Sequence, residues 1–252
     1  PAGNRVGHSR GLCDTQVRVC LKTRENTRMT EAVNTTDQAK ELRRENTIAA
    51  YSKPFYRYLV LGILTTVYIS NFVDRQVINV LAAYIIEDLQ LSDGQFGALS
   101  GIAFALIYTV LGIPIARLAD LSNRRNVIAI SVATWSLMTA ACGLAQNFGQ
   151  LFLARVGVGI GEAGGSPPAH SIVSDIFPAA QRATALSIYS LGVYGGILVG
   201  TVGGAYLVQY FDWRTAFIVV GLPGLILAFI VRFVIKEPPR GMAESRRDIA
   251  PP

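Results

Sequence analysis

Six long apolar runs separated by short polar links fill the chain between residues 58 and 235, near 58–86, 94–118, 127–145, 150–174, 182–210 and 213–235. An α-helix rises 1.5 Å per residue, so about 20 apolar residues cross the roughly 30 Å hydrocarbon core of a bilayer. Each run is long enough to do so. The expected fold is therefore an all-α membrane protein: a disordered cytoplasmic leader over 1–57, a bundle of six transmembrane helices over 58–235, and the start of a cytoplasmic loop or tail over 236–252. Links this short force neighbouring helices to run antiparallel.

Charge in the links then sets the orientation. The leader is basic; the first link carries Glu87, Asp88 and Asp93, and the second Arg117, Arg124 and Arg125. The third, around 146–150, has no charge, the fourth holds Arg182, and Arg232, Lys236, Arg240, Arg246 and Arg247 follow the last run. Basic residues alternate with their absence, which predicts both termini on the cytoplasmic side of a cell (inner or plasma) membrane.

Charges inside the runs are the candidate chemistry. The fourth run, LFLARVGVGIGEAGG, carries Arg155 and Glu162 seven residues apart, two helical turns from each other on one face with Gly159 between them. An ionisable group at the bilayer centre costs roughly 2.5–3.5 kcal/mol on insertion scales and is tolerated when it faces a bundle interior or a water-filled path. The first run contains NFVDRQVIN, in which Asn71, Arg75 and Asn79 stand at i, i+4 and i+8 with Asp74 one position aside. Asp74 and Arg75 are adjacent and point about 100° apart, so they do not pair with each other as helix-face neighbours. Each is expected to reach another helix, and Arg155 and Glu162 are the complements. Two readings fit: a proton or substrate pathway, or a structural cross-brace between helices.

Two further patterns stand out. Gly192, Gly196, Gly200 and Gly204 form an i+4 series in the fifth run, with Gly195 and Gly203 alongside, a face on which another helix can approach closely or slide. In the link after the second run, Asp120 is followed by Arg124 and Arg125, offering a charge pair and a basic surface.

Composition narrows the class. Apolar residues make up 51% of the chain and charged residues 16%, below the roughly 25% of soluble domains. The net charge of +6 is uneven: +5 falls up to Arg57 and +1 on everything after it. A basic leader before a nearly neutral apolar body fits the positive-inside rule better than a nucleic-acid surface, so no nucleic-acid partner is expected. Cys13, Cys20 and Cys142 are too few and scattered for a disulfide framework or zinc site, and neither metal nor cofactor is implied. The first methionine is Met29, and one reading of the residues before it is an upstream extension. No short apolar core with a cleavage site follows the basic leader, so it is not a signal peptide. The sequon Asn34-Thr35-Thr36 is expected on the cytoplasmic side and unmodified.

Two motifs are decoys. Gly159-Ile-Gly161-Glu-Ala-Gly164 matches the dinucleotide GxGxxG pattern, but that fingerprint works only at a strand-to-helix turn. His170, Ser171 and Asp175 supply the residue types of a hydrolase triad crowded onto one helix end, without a nucleophile turn or oxyanion donors. Pro167-Pro168 predicts a kink or break in the fourth helix.

The stretch Ala116-Arg-Leu-Ala-Asp120-Leu-Ser-Asn123-Arg124-Arg125 resembles the loop between helices two and three of the major facilitator superfamily, G-x-x-x-D-R-x-G-R-R. Asp120, Arg124 and Arg125 match, whereas Ala116, Leu121 and Asn123 replace the usual residues. Arg155 with Gly159 is similar to that family's fourth-helix R-x-x-x-G, and Asp212-Trp213-Arg214 with Phe217 to the start of its sixth helix. Asp74-Arg75, Asn123 in the loop and Arg155 with Gly161-Glu162-Ala163 together resemble the spinster-like branch, which includes lysolipid and sphingolipid transporters and many bacterial members. The fifth-helix glycines are similar to the antiporter motif without its proline. The resemblance, over about 58–241, implies half of a twelve-helix fold, ending at the exit Lys236-Glu237-Pro238-Pro239, with a second six-helix half as partner. It also implies that Glu162 carries a coupling proton, Arg155 tunes it, and Asp74 and Arg75 line the path of a small organic or lipid-like solute. The alternative is a non-transporting six-helix membrane protein that binds or regulates a full-length partner. Neither reading is an enzyme.

Overall fold

The structure, a computed structural model, describes residues 38–245, apart from the side chains of 102–106 and 245. The chain divides into two compact units, 1–47 and 48–252. Residues 38–52 are helical (α1), with the unit boundary inside the helix. The leader therefore is not disordered over this stretch: Glu41, Leu42, Arg43, Arg44, Ala49 and Ala50 all rank as good helix formers. The sequon, Met29, Cys13, Cys20, Arg246 and Arg247 lie outside the described residues.

The second unit continues with α2 (Pro54–Val80), α3 (Ala82–Leu89), α4 (Asp93–Gly97), a π-helical turn (Ala98–Ile102), α5 (Ala103–Leu121) and α6 (Arg124–Cys142). It ends with α7 (Phe148–Ala163), α8 (Ser166–Ile176), α9 (Ala179–Tyr210), α10 (Trp213–Val234) and the single turn α11 (Met242–Ser245). Among the described residues every regular element is helical. The first, second and fourth apolar runs are each interrupted, at Leu81, at the π turn and at Gly164–Gly165. The last break has a plain cause, since α8 opens with Pro167 and Pro168 in its first turn, where their missing N–H groups cost nothing. By length and apolarity, α9 and α10 qualify as bilayer-crossing helices among the described residues.

Glycine sets the helix packing. α9 lies along α2, and a Cβ added at Gly196 would stand 2.5 Å from Phe72 Cβ and 2.6 Å from the Ile69 carbonyl oxygen. At Gly200 it would stand 2.8 Å from Gln76 Cβ. Gly192 meets Thr65 and Tyr68, and Gly204 meets Val80, so the whole i+4 row faces α2. Gly195 is looser, and Gly203 has nothing within 4 Å. α6 is held between α7 and α10 in the same manner, by Gly161 against Trp135 and by Gly221 against Ala140. Leu61, Leu64, Ile78, Trp135, Val158 and Phe217 fill the core. Leu222, Ile226, Phe229 and Phe233 instead form an exposed apolar stripe along α10.

Candidate functional site

Two polar sites interrupt this apolar bundle. The inner one joins α2 and α7. Arg75 donates from Nε to Glu162 Oε2 at 2.6 Å, and the Glu162 side chain is wholly shielded from solvent. Arg155, also buried, donates from Nη1 to the backbone carbonyl of Asp74 at 3.5 Å. Arg75 of α2 pairs with Glu162 of α7 as expected, whereas Arg155 of α7 reaches α2 at the backbone carbonyl of Asp74 and not at its carboxylate. Of the polar stripe, Asn71 is buried beside Glu162, whereas Asn79 is exposed and donates to the Arg75 carbonyl of its own helix at 3.4 Å.

Arg75 is the partly exposed member. Its side chain is 28% exposed, and its guanidinium lies 5.1 Å from the Phe72 ring centroid and 4.8 Å from that of Tyr108. It borders a cavity of about 220 Å³ lined by Phe72, Arg75, Gln76, Asn79, Ser100, Arg155 and Ile197. Beside Phe72, Tyr68 is stacked on Tyr189 at 4.4 Å, and His170 is edge-on to Tyr189 at 5.0 Å. Tyr108 and Tyr189 carry no signal in the sequence, because an aromatic in an apolar run reads as packing.

Two carboxyls and two guanidiniums thus share a low-dielectric site beside a cavity. Such a set is stable while every charge has a partner, and removing one leaves an uncompensated buried charge. If a conformational change draws Arg75 away, Glu162 must take up a proton or water. That is the chemistry the arrangement offers. Groups of three or more His, Cys, Asp or Glu able to hold a metal ion are absent among the described residues.

The second site is at the Asp120–Arg125 link and differs from the expected surface pair. Asp120 faces Arg240 at 3.9 Å rather than Arg124 or Arg125, and Arg240 also donates to the Asp120 carbonyl. Arg124 is not a surface cation, being 1% exposed. It donates to Asp175 Oδ2 (2.5 Å), Ser171 Oγ (2.8 Å), Glu237 Oε1 (2.8 Å) and the Pro238 carbonyl (2.7 Å). Burial opposes its charge, but the bonds to Asp175 and Glu237 outweigh this and hold its pKa above the ordinary arginine value. Arg125 donates its backbone N–H to Glu237 Oε2 at 2.8 Å, and Gly241 donates to Asp175 Oδ1 at 3.0 Å. Ser171 and Asp175 therefore serve Arg124, and His170 points elsewhere, so the three do not form a triad. Asp175 and Glu237 are functional candidates that sequence reading missed. The available signal was that acidic residues at the basic end of the bundle need a cation.

Residues 64–251 match the family model described as Major Facilitator Superfamily. The chain is 37% identical over 182 residues to an MFS-type efflux pump of Mycolicibacterium smegmatis, a match covering 72% of this chain and 42% of that protein. It is 32% identical over 198 residues to Protein spinster homolog 1 of Xenopus tropicalis, covering 77% and 38%. Among solved structures it is similar to a bacterial homolog to the human lysosomal transporter Spinster, in an inward-facing and unoccupied conformation. That match has 43% identity and a TM-score of 0.67 over 75% of this chain and 45% of the other. The chain spans less than half the length of these relatives.

Proposed function

Because the chain belongs to the Major Facilitator Superfamily, a family of multi-pass membrane transporters rather than enzymes, we propose that it acts as the N-terminal half of a secondary active transporter. The half moves a small organic or amphiphilic solute by alternating access, coupled to protons, and works with a second six-helix half. In this reading α2–α3, α4–α5, α6, α7–α8, α9 and α10 are the six passes, and both termini are cytoplasmic. The exposed stripe of Leu222, Ile226, Phe229 and Phe233 supports a lipid-facing α10, since soluble proteins rarely expose apolar patches that large.

The observation that carries the proposal is the cluster of Asp74, Arg75, Arg155 and Glu162 beside the 220 Å³ cavity. Glu162 carries the coupling proton. Arg75 is its partner in the state described, and Arg155 and Asp74 line the path behind them. The partly exposed Arg75 is the natural switch, because its side chain is 28% exposed at the cavity while its partner Glu162 is wholly buried. Asp120, Arg124 and Arg125 act at the cytoplasmic end, where Arg124 ties α6 to α8 and to the segment after α10. The glycine row lets α9 and α2 slide while in contact.

The test is uptake into vesicles by a complete transporter carrying this half. Glu162→Gln keeps the size and the bond to Arg75 but removes titration. It is expected to abolish proton-driven accumulation, to spare downhill exchange, and to leave the melting temperature in detergent nearly unchanged. A brace without a coupling role gives the reverse, with a lower melting temperature and an unaltered pH profile.

A further inference from the structure

Helix hydroxyls in this protein usually donate to the carbonyl one turn back. Thr65 does so to Leu61 (2.8 Å), Thr66 to Gly62 (2.9 Å), Ser100 to Phe96 (3.1 Å) and Ser122 to Leu118 (2.5 Å). Thr139, in α6 and completely buried, does not: its Oγ1 has no hydrogen-bond partner. One turn back on α6, Trp135 Nε1 is likewise buried without an acceptor. Both groups face Asp74 near enough to serve its carboxylate, whose two oxygens are buried and take a hydrogen bond of full geometry from no other side chain. Buried polar groups are hydrogen-bonded in the great majority of cases, so unspent groups gathered in one place need an explanation. Trp135 and Thr139 offer one donor each to these two oxygens from α6, and Arg155 faces them from α7.

We propose that Thr139 is the positioning residue that serves Asp74 in both of its protonation states, with Trp135 as a fixed donor beside it. The inference rests on the transport reading above and deepens it. An indole N–H only donates, whereas a threonine hydroxyl both donates and accepts. When Asp74 is ionised, Thr139 and Trp135 each donate to one carboxylate oxygen. When a proton binds at Asp74 Oδ, the new carboxyl O–H donates to Thr139 Oγ1, and the threonine proton turns to the Trp135 carbonyl four residues back. No covalent bond of Thr139 breaks; its hydrogen bond reverses. Trp135 keeps donating to the remaining Asp74 oxygen. A valine of nearly the same shape serves neither state.

The other groups around Asp74 are accounted for. Arg155 and Glu162 face it from α7, and Cys142 of α6 lies by Arg155. Arg75 is turned to Glu162. From the other elements packed on α2, Arg182 of α9 meets Glu244, Tyr189 stacks on Tyr68, Arg214 of α10 meets Asp88, and His170 of α8 meets Tyr189. Of these, Arg155 is the cation that faces the Asp74 carboxyl, and the groups on α8, α9 and α10 are turned to partners elsewhere.

The protein contains a built-in probe, because its two tryptophans are Trp135 and Trp213. With Trp213→Phe in lipid nanodiscs, emission from Trp135 is followed against pH. A transition is expected that Asp74→Asn removes. Thr139→Val moves its midpoint upward by about one pH unit, because the charge-assisted bond to the ionised carboxylate is the stronger of the two lost. Thr139→Ser restores the parent midpoint, and Thr139→Val has no effect in the Asp74→Asn background. If Trp213→Phe prevents folding, the difference between parent and Trp135→Phe spectra gives the same signal; if the valine variant does not fold, Thr139→Ala replaces it. A midpoint unmoved by loss of the hydroxyl overturns the role of Thr139 while leaving Asp74 as a titrating group. The absence of any Asp74-dependent transition overturns both, and the Glu162 uptake test then decides proton coupling separately.

Discussion

Arg155 and Glu162 occupy one face of α7 and are both buried, yet Glu162 gives an oxygen to Arg75 on α2. The two residues therefore respond differently to mutation. Arg155→Ala removes the cation that faces Asp74 and leaves that buried carboxyl uncompensated, a class of change costing roughly 3–5 kcal/mol. Glu162→Gln keeps an acceptor for Arg75, whose exposed part can hydrate. Chemical denaturation in detergent is expected to show a clearly larger loss for Arg155→Ala, and equal losses would mean that Arg155 contributes little to the charge balance. The pairing of Arg75 with Glu162 across α2 and α7 was legible from sequence, since buried charges need opposite charges. Thr139 and Trp135 were not, being unremarkable residues in an apolar run until Asp74 is placed against them. Nor were the partners of Arg124, which lie 51 and 113 positions away.

Glycines within α9 differ sharply in what they meet, although the i+4 row and its companions look alike in sequence. A methyl group at Gly196 collides with the Ile69 backbone carbonyl, which cannot move aside as a side chain would. Gly196→Ala should destabilise by roughly 1–3 kcal/mol, the range for overpacking. Gly203→Ala meets open space and should be neutral or stabilising by about 0.5–1 kcal/mol through helix propensity. Melting both variants of this chain in one detergent checks the contrast, and matching shifts would refute the packing assignment. The periodicity that announced this face was legible because close approach requires the same missing side chain at every turn. The breaks were legible only in part. Pro167-Pro168 forecast the end of α7, but the stop at Leu81 and the π turn at Ala98–Ile102 follow no Gly-Pro signal.

Across the whole molecule, the orientation proposed from the alternation of charge in the links is tested by accessibility. Single cysteines at Asp93 and Gln146, in a background lacking the native three, spare the N-caps Ser92 and Asn147. Both should react with a membrane-impermeant maleimide on intact cells, and reaction only after the membrane is opened would invert the orientation. In the family-based reading the solute path lies between two halves. This chain alone, reconstituted in vesicles with a proton gradient, is then expected to give no uphill uptake, and sustained accumulation would refute the need for a partner half. The clasp around Arg124 adds a matter of timing. A polypeptide is made from its N-terminus, so Arg124 emerges 113 residues before Glu237 and 51 before Asp175. Until Glu237 and Pro238 arrive, the guanidinium can bind only Asp175 and Ser171, and α6 cannot bury it fully satisfied. The bundle is thus secured last by residues that follow α10, and a nascent chain halted at Ile235 holds helices still waiting for their fastening.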